Sequence, residues 1–160
     1  IESFIRALQD HQIKDAEKKI SDMLLLDYLM MKPDRSLKDM AVEIDARNGQ
    51  WLDMIPSYSY SHTLGSLIQE HQMEHYEHQA VCRLFNASSI SFESMLPYIH
   101  FTDYDLSSLK KIPLEYGNKL VEYQQSTGMS NHRIELQYQL IYKRVRSVLK
   151  AARASRRIIQ

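Results

Sequence analysis

The sequence predicts an all-α protein: a single bundle of about six helices with a long basic helix at its C-terminal end. Three observations carry that reading. Gly and Pro number four each in 160 residues, too few for a loop-rich or all-β chain. Met and Leu are plentiful while Val and Ile seldom fall in alternating runs, which favours helix over strand. From Ser130 to Arg157 the apolar residues Ile134, Tyr138, Ile141, Val145, Val148 and Ala152 advance by alternating steps of four and three, the spacing of one helix face. No stretch reads as a strand.

Taken in order, residues 3–31 form one or two helices. Phe4, Ile5 and Leu8 lead, His11-Gln12 marks a bend, and Ile13, Ala16, Ile20, Leu24 and Tyr28 keep a second face. Met23 to Leu26 is apolar nearly all round, which predicts a central, covered position. Pro33 ends the segment, because the residue before proline avoids helical geometry. Ser36, with Asp39 three residues on, is a variant capping box for a helix buried through Leu37, Met40, Ala41 and Ile44 and stopped at Gly49. Trp51 to Ile55 makes a short apolar turn, and Ser57 to Ser61 a connector. His62 to Phe85 is the third long helix. Ser91 caps a short helix through Ile99, and Leu106, Leu109 and Ile112 lead into Pro113, which must kink or end that helix. Leu114 to Gln125 resumes the pattern up to a Gly128 stop.

At 18.8 kDa the chain fits one domain spanning residues 1–160 with a core of its own. Ile1 is not an initiating Met and the last residues carry no stop signal, so the domain reads as a fragment of a larger protein. One cysteine, Cys82, makes no internal disulfide, which points to a reducing, intracellular compartment, cytoplasm or nucleus. The longest apolar run, Met23 to Met31, is broken by Asp27 and far short of a membrane span. Net charge is zero but unevenly spread. Leu136 to Gln160 holds seven of the 20 basic residues and no acidic one; the other 13 share residues 1–135 with all 20 acids, a net charge of −7 there.

That asymmetry names the first candidate site. Lys143, Arg146, Lys150, Arg153 and Arg157 repeat at helical spacing about half a turn from the Val145 stripe, and Arg144 and Arg156 add to the same basic ridge. Such a ridge neutralises a run of phosphates with salt-dependent affinity. Tyr142 beside it makes single strands conceivable. An acidic partner is therefore expected, nucleic acid ahead of an anionic membrane; the alternative is a protein-interaction or homo-oligomerisation domain. The second candidate is a histidine cluster: His71, His75 and His78 lead on to Cys82 on one helix face. His and Cys are ligands for zinc and other transition ions, but steps this long let at most two neighbours share an ion. The bland alternative is a histidine-lined seam between helices.

Two further patterns are present. Residues 25–55 follow a helix-turn-helix plan, although the recognition segment Gln50 to Ile55 carries Asp53 and no Lys or Arg. Ser61-His62-Thr63-Leu64-Gly65-Ser66 resembles the phosphoacceptor signature of histidine phosphotransfer domains, in which a His is followed by Leu and Gly within a helical bundle. Here the usual Lys before the Gly is missing, and His62 falls at a helix start. Glycine-rich phosphate loops, nucleophile elbows and HExxH helices are absent, so the reading is of a non-enzymatic binding or assembly module without a catalytic site or cofactor.

Overall fold

The structure is a computed structural model that describes residues 1–55, 59–85 and 88–158, with side chains throughout these except at His78, Arg156, Arg157 and Ile158. Helices dominate it, but it is not all-α. In chain order the elements are α1 (Glu2–Asp10), α2 (Ala16–Leu29), β1 (Asp34–Arg35), β2 (Val42–Ile44), β3 (Trp51–Met54), α3 (Glu70–Gln79), β4 (Val81–Leu84), β5 (Ile90–Ser91), α4 (Ile112–Thr127) and α5 (Asn131–Ile158). Short 3-10 turns fill the connections at Leu37–Asp39, Phe92–Tyr98, Phe101–Asp103 and Ser107–Lys111. The strands form two small sheets: β1 pairs in parallel with β4, which pairs antiparallel with β5, and β2 pairs antiparallel with β3.

The predicted bundle fails at two places, for identifiable reasons. At Ser36 the capping box forms as expected, with Lys38 N–H donating to Ser36 Oγ and Ser36 N–H to Asp39. It caps a single 3-10 turn, because Met40 is already extended (φ −126°, ψ 144°) and β2 follows. The deciding signal is Asn48-Gly49, a hairpin dipeptide. Gly49 takes φ 73°, and Asp45 and Gln50 close the loop through an Asp45 N–H to Gln50 carbonyl bond of 2.8 Å. The Trp51 "turn" is strand β3, and no helix-turn-helix forms. The hairpin, too small to stand alone, is held by a His11–Trp51 ring stack at 3.9 Å and a Lys19–Asp53 ion pair.

The expected His62–Phe85 helix keeps only Glu70–Gln79. Ahead of it Leu64 and Gly65 lie at φ 50° and 68°, outside helical geometry, with Gly65 tight against the Tyr76 ring. His62 is therefore an exposed residue of a turn rather than a helical phosphoacceptor. Behind the helix, Val81-Cys82-Arg83-Leu84 alternates exposed and buried, the two-residue period of a strand. Pro113 neither kinks nor ends a helix: it occupies the first turn of α4, where a missing N–H costs nothing.

Other helical expectations fare unevenly: Ser91 makes no side-chain cap and leads only into a 3-10 turn, and Leu26 is exposed, whereas the bend, the α2 core and the α4 stop form as expected. The bend at His11-Gln12 separates α1 from α2, and Leu24, Tyr28 and Ile20 in α2 are fully enclosed at the centre of the core with Leu8, Phe92, Met95 and Val148. Gly128 caps α4 at φ 66°. Helix α5 runs unbroken for 28 residues, about 42 Å, started by Ser130, whose Oγ accepts from Arg133 N–H at 2.9 Å. Of the predicted stripe, Tyr138 is only half-buried, while Ile134, Ile141, Val145, Val148 and Ala152 are buried. Each contributes on the order of 1 to 3 kcal/mol, enough to hold α5 down without help from its charged face. Among the described residues no helix is long and apolar enough to cross a membrane.

Candidate functional site

Helix α5 presents Lys143, Arg146, Lys150 and Arg153 on its outer face, at steps of three, four and three. All four are exposed, and with Glu77, Ser147, Leu149 and Ala154 they line an open depression of about 840 Å3. Arg153 also borders a second, smaller depression shared with Lys110 and Asp105, from the segment leading into α4. The basic row thus extends off the helix onto Lys110. Sequence spacing carries no sign of that neighbour, because it depends on how α4 and α5 pack.

The row is not uniformly free. Lys143 Nζ bonds Glu77 Oε2 of α3 at 2.7 Å. Two more α3 carboxylates face the start of α5: Glu70 accepts from Ser130, and Glu74 lies 3.6 Å from His132. Glu70, Glu74 and Glu77 follow helical steps of four and three, so one acidic face of α3 docks along α5. Among the described residues no carboxylate pairs with Arg146, Lys150 or Arg153. The Arg146 guanidinium instead lies 5.8 Å from the centre of the Tyr142 ring, and Tyr142 stacks on Tyr138 at 6.1 Å.

Arg144 does not belong to the ridge. It is a core residue, 1% exposed, wedged between the Tyr28 and Phe92 rings at 5.0 and 5.1 Å. Its Nη1 reaches out to Glu93 at 2.9 Å, while its Nε and the Tyr28 hydroxyl are buried without a hydrogen-bond partner among the described residues. The periodicity does contain this. Counting four from Leu140, three from Ile141 and four back from Val148 all land on 144, on the buried stripe. Arg156 and Arg157, the other two ridge residues, lie outside the described side chains.

The four residues His71, His75, His78 and Cys82 do not share one helix. His71 and His75 are exposed and border a shallow depression with Ile68, Gln72 and Tyr76, so within one chain they line no seam between helices. His78 lies outside the described side chains. Cys82 is not on the helix at all: it sits buried in β4 and donates weakly to the Ile90 and Ser91 carbonyls at 3.7 and 3.8 Å. Burial pushes its thiol up to about 11, which leaves it protonated and inert at neutral pH. Among the described residues no three His, Cys, Asp or Glu side chains converge to hold a metal ion.

One enclosed charge pair lies away from this face. Asp27 in α2 and Arg35 in β1 are both enclosed, joined by two bonds, one of them Arg35 Nε to Asp27 Oδ2 at 2.8 Å, and the Tyr60 hydroxyl donates to Asp27 at 3.0 Å. Burial pulls the Arg35 guanidinium down, but Asp27, Tyr60 and Asp39 together outweigh it and the net shift is upward. A carboxylate interrupting an otherwise apolar run was the available signal. No protein-family model, characterised protein or solved structure matches the chain, so the meaning of the basic face is carried by its own residues alone.

Proposed function

We propose that the protein is a non-enzymatic binding module whose α5 face meets a nucleic acid. The observation that carries this is the row Arg146, Lys150 and Arg153, exposed, regularly spaced, and without a carboxylate partner among the described residues. Ordinary exposed helices mix charge signs for pairing along the surface, whereas α5 carries no acid beyond Glu135. A straight row of cations without a carboxylate partner among the described residues suits a ligand with evenly repeated charge, and phosphate esters supply that. Lys143 joins only if a phosphate displaces Glu77, so three cations set the minimum.

Neutralising about three phosphates gives a log–log salt slope of roughly −2 on a single strand and −3 on a duplex, or about a 20- to 40-fold loss of affinity between 50 and 200 mM salt. Fluorescence anisotropy of a labelled oligonucleotide across that range tests it. A Lys150→Gln/Arg153→Gln variant should bind more weakly and with a slope shallower by about 1.5. A flat salt response, or binding to anionic phospholipid vesicles with none to oligonucleotides, overturns the reading.

A further inference from the structure

We infer that the ligand of this face is a single strand, with the Tyr142 ring as a stacking platform for one of its bases. The inference rests on the nucleic-acid reading above and adds to it which form is bound. One residue advances about 100° around a helix, so Tyr142 borders the basic row, about 40° from Arg146 and 20° from Arg153. Tyr142 is 39% exposed, on a helix whose apolar stripe is otherwise packed inward. The ring is also positioned rather than loose. Tyr138, one turn earlier, stacks on it with the planes 16° apart. Tyr138 is itself pinned by α4, where a methyl group added at Gly117 would come within 3.2 Å of it. Tyr138, Tyr142 and Arg146 thus make a ladder of flat groups at steps of four along the edge of a phosphate-binding row.

The ladder has an exchangeable rung. The Arg146 guanidinium lies over the Tyr142 ring, and such a contact at an exposed site is weaker than a base stacked on an aromatic side chain. An unpaired base therefore displaces the guanidinium, which turns outward to the adjoining phosphate with Lys150 and Arg153. A duplex cannot make that exchange, because its bases are already stacked on one another. Charge alone predicts the opposite preference: a row that reads only phosphates favours the denser charge of a duplex. The two ideas are separable by measurement.

The experiment titrates the full chain into a short labelled oligothymidylate and into a duplex of equal length, at one salt concentration. The proteins are wild type, Tyr142→Ala, Tyr142→Phe and Lys150→Gln/Arg153→Gln. The expected result is a single-strand preference in the wild type, about a tenfold loss on the single strand for Tyr142→Ala, duplex affinity within twofold, and near-wild-type binding by Tyr142→Phe. Far-UV circular dichroism confirms that the helix is intact. Equal weakening on both ligands, no weakening on either, or a duplex preference in the wild type overturns the stacking platform while the basic-row variant still tests the parent reading. No binding of either oligonucleotide by the wild type overturns both.

Discussion

Arg144 is a core arginine set apart from those of the proposed binding face, and two substitutions read the difference. Arg144→Ala deletes a side chain that is 2% exposed and opens a cavity between Tyr28 and Phe92; deletions of that size in a core cost about 2 to 5 kcal/mol. Arg144→Met fills most of the space. It loses two enclosed cation–ring contacts, each worth up to about 2 kcal/mol. It loses an ion pair to Glu93, whose side chain is 61% exposed, worth under about 1 kcal/mol. Against that, it removes a buried Nε–H with no partner, which costs about 1 to 3 kcal/mol, together with the desolvation of the charge itself. These nearly cancel, so Arg144→Met should lie within about 1 kcal/mol of wild type while Arg144→Ala falls several kcal/mol lower. Urea unfolding with unchanged slope measures the stabilities, and oligonucleotide affinity of the folded variants measures the face. A folded, fully stable Arg144→Met that loses salt-dependent binding would put Arg144 back on the outer ridge and refute the assignment.

Three further outcomes follow from other parts of the molecule. Arg35→Ala strands the enclosed Asp27 carboxylate and should cost about 3 to 5 kcal/mol, whereas pairing Arg35→Met with Asp27→Leu should recover most of it; a double variant as unstable as the single one contradicts the buried-pair account. Cys82 should resist a thiol reagent at pH 8 in the native protein and react at once in denaturant. Its folded thiol titrates at about 11 against 9.0 for an ordinary one, so the unfolded chain releases its proton first: the stability tied to this thiol is intact below about pH 8.5 and drains away as pH climbs toward 11. A Cys82→Ala variant should lose less stability over that alkaline range, and an identical pH profile argues against it. Gly128→Ala places a side chain at φ 66° with open space around it, so the cost is backbone strain alone, about 1 kcal/mol by thermal or urea unfolding.

The helical half of this fold is legible in the sequence because long amphipathic stripes repeat often enough to be counted. The Val145 stripe spans five turns of α5, and Ser130 and Gly128 punctuate it with caps whose geometry has few alternatives. The strands were illegible for the opposite reason: the longest, Val81–Leu84 and Trp51–Met54, have four residues each, too short for a two-residue period to stand out from a helical one. Only Asn48-Gly49 announced a hairpin, and a glycine after a predicted helix reads equally well as its stop. The basic face was readable as a set of charges but not as a surface. Charge alone puts Arg144 on the ridge, although its offsets from Leu140 and Val148 place it inward. Glu77 as the partner of Lys143, and Lys110 beside Arg153, come from tertiary packing that no local pattern encodes.

The docking of the β2–β3 hairpin gives the molecule an optical reporter remote from α5. Its single tryptophan, Trp51, lies flat against His11 at the end of α1, so indole emission registers whether that ribbon stays seated. The ligand proposed for α5 would meet Tyr142 instead, leaving the indole silent. A titration that changes indole emission therefore signals detachment of the ribbon, and one that leaves it constant while anisotropy rises signals occupancy with the rest of the body undisturbed.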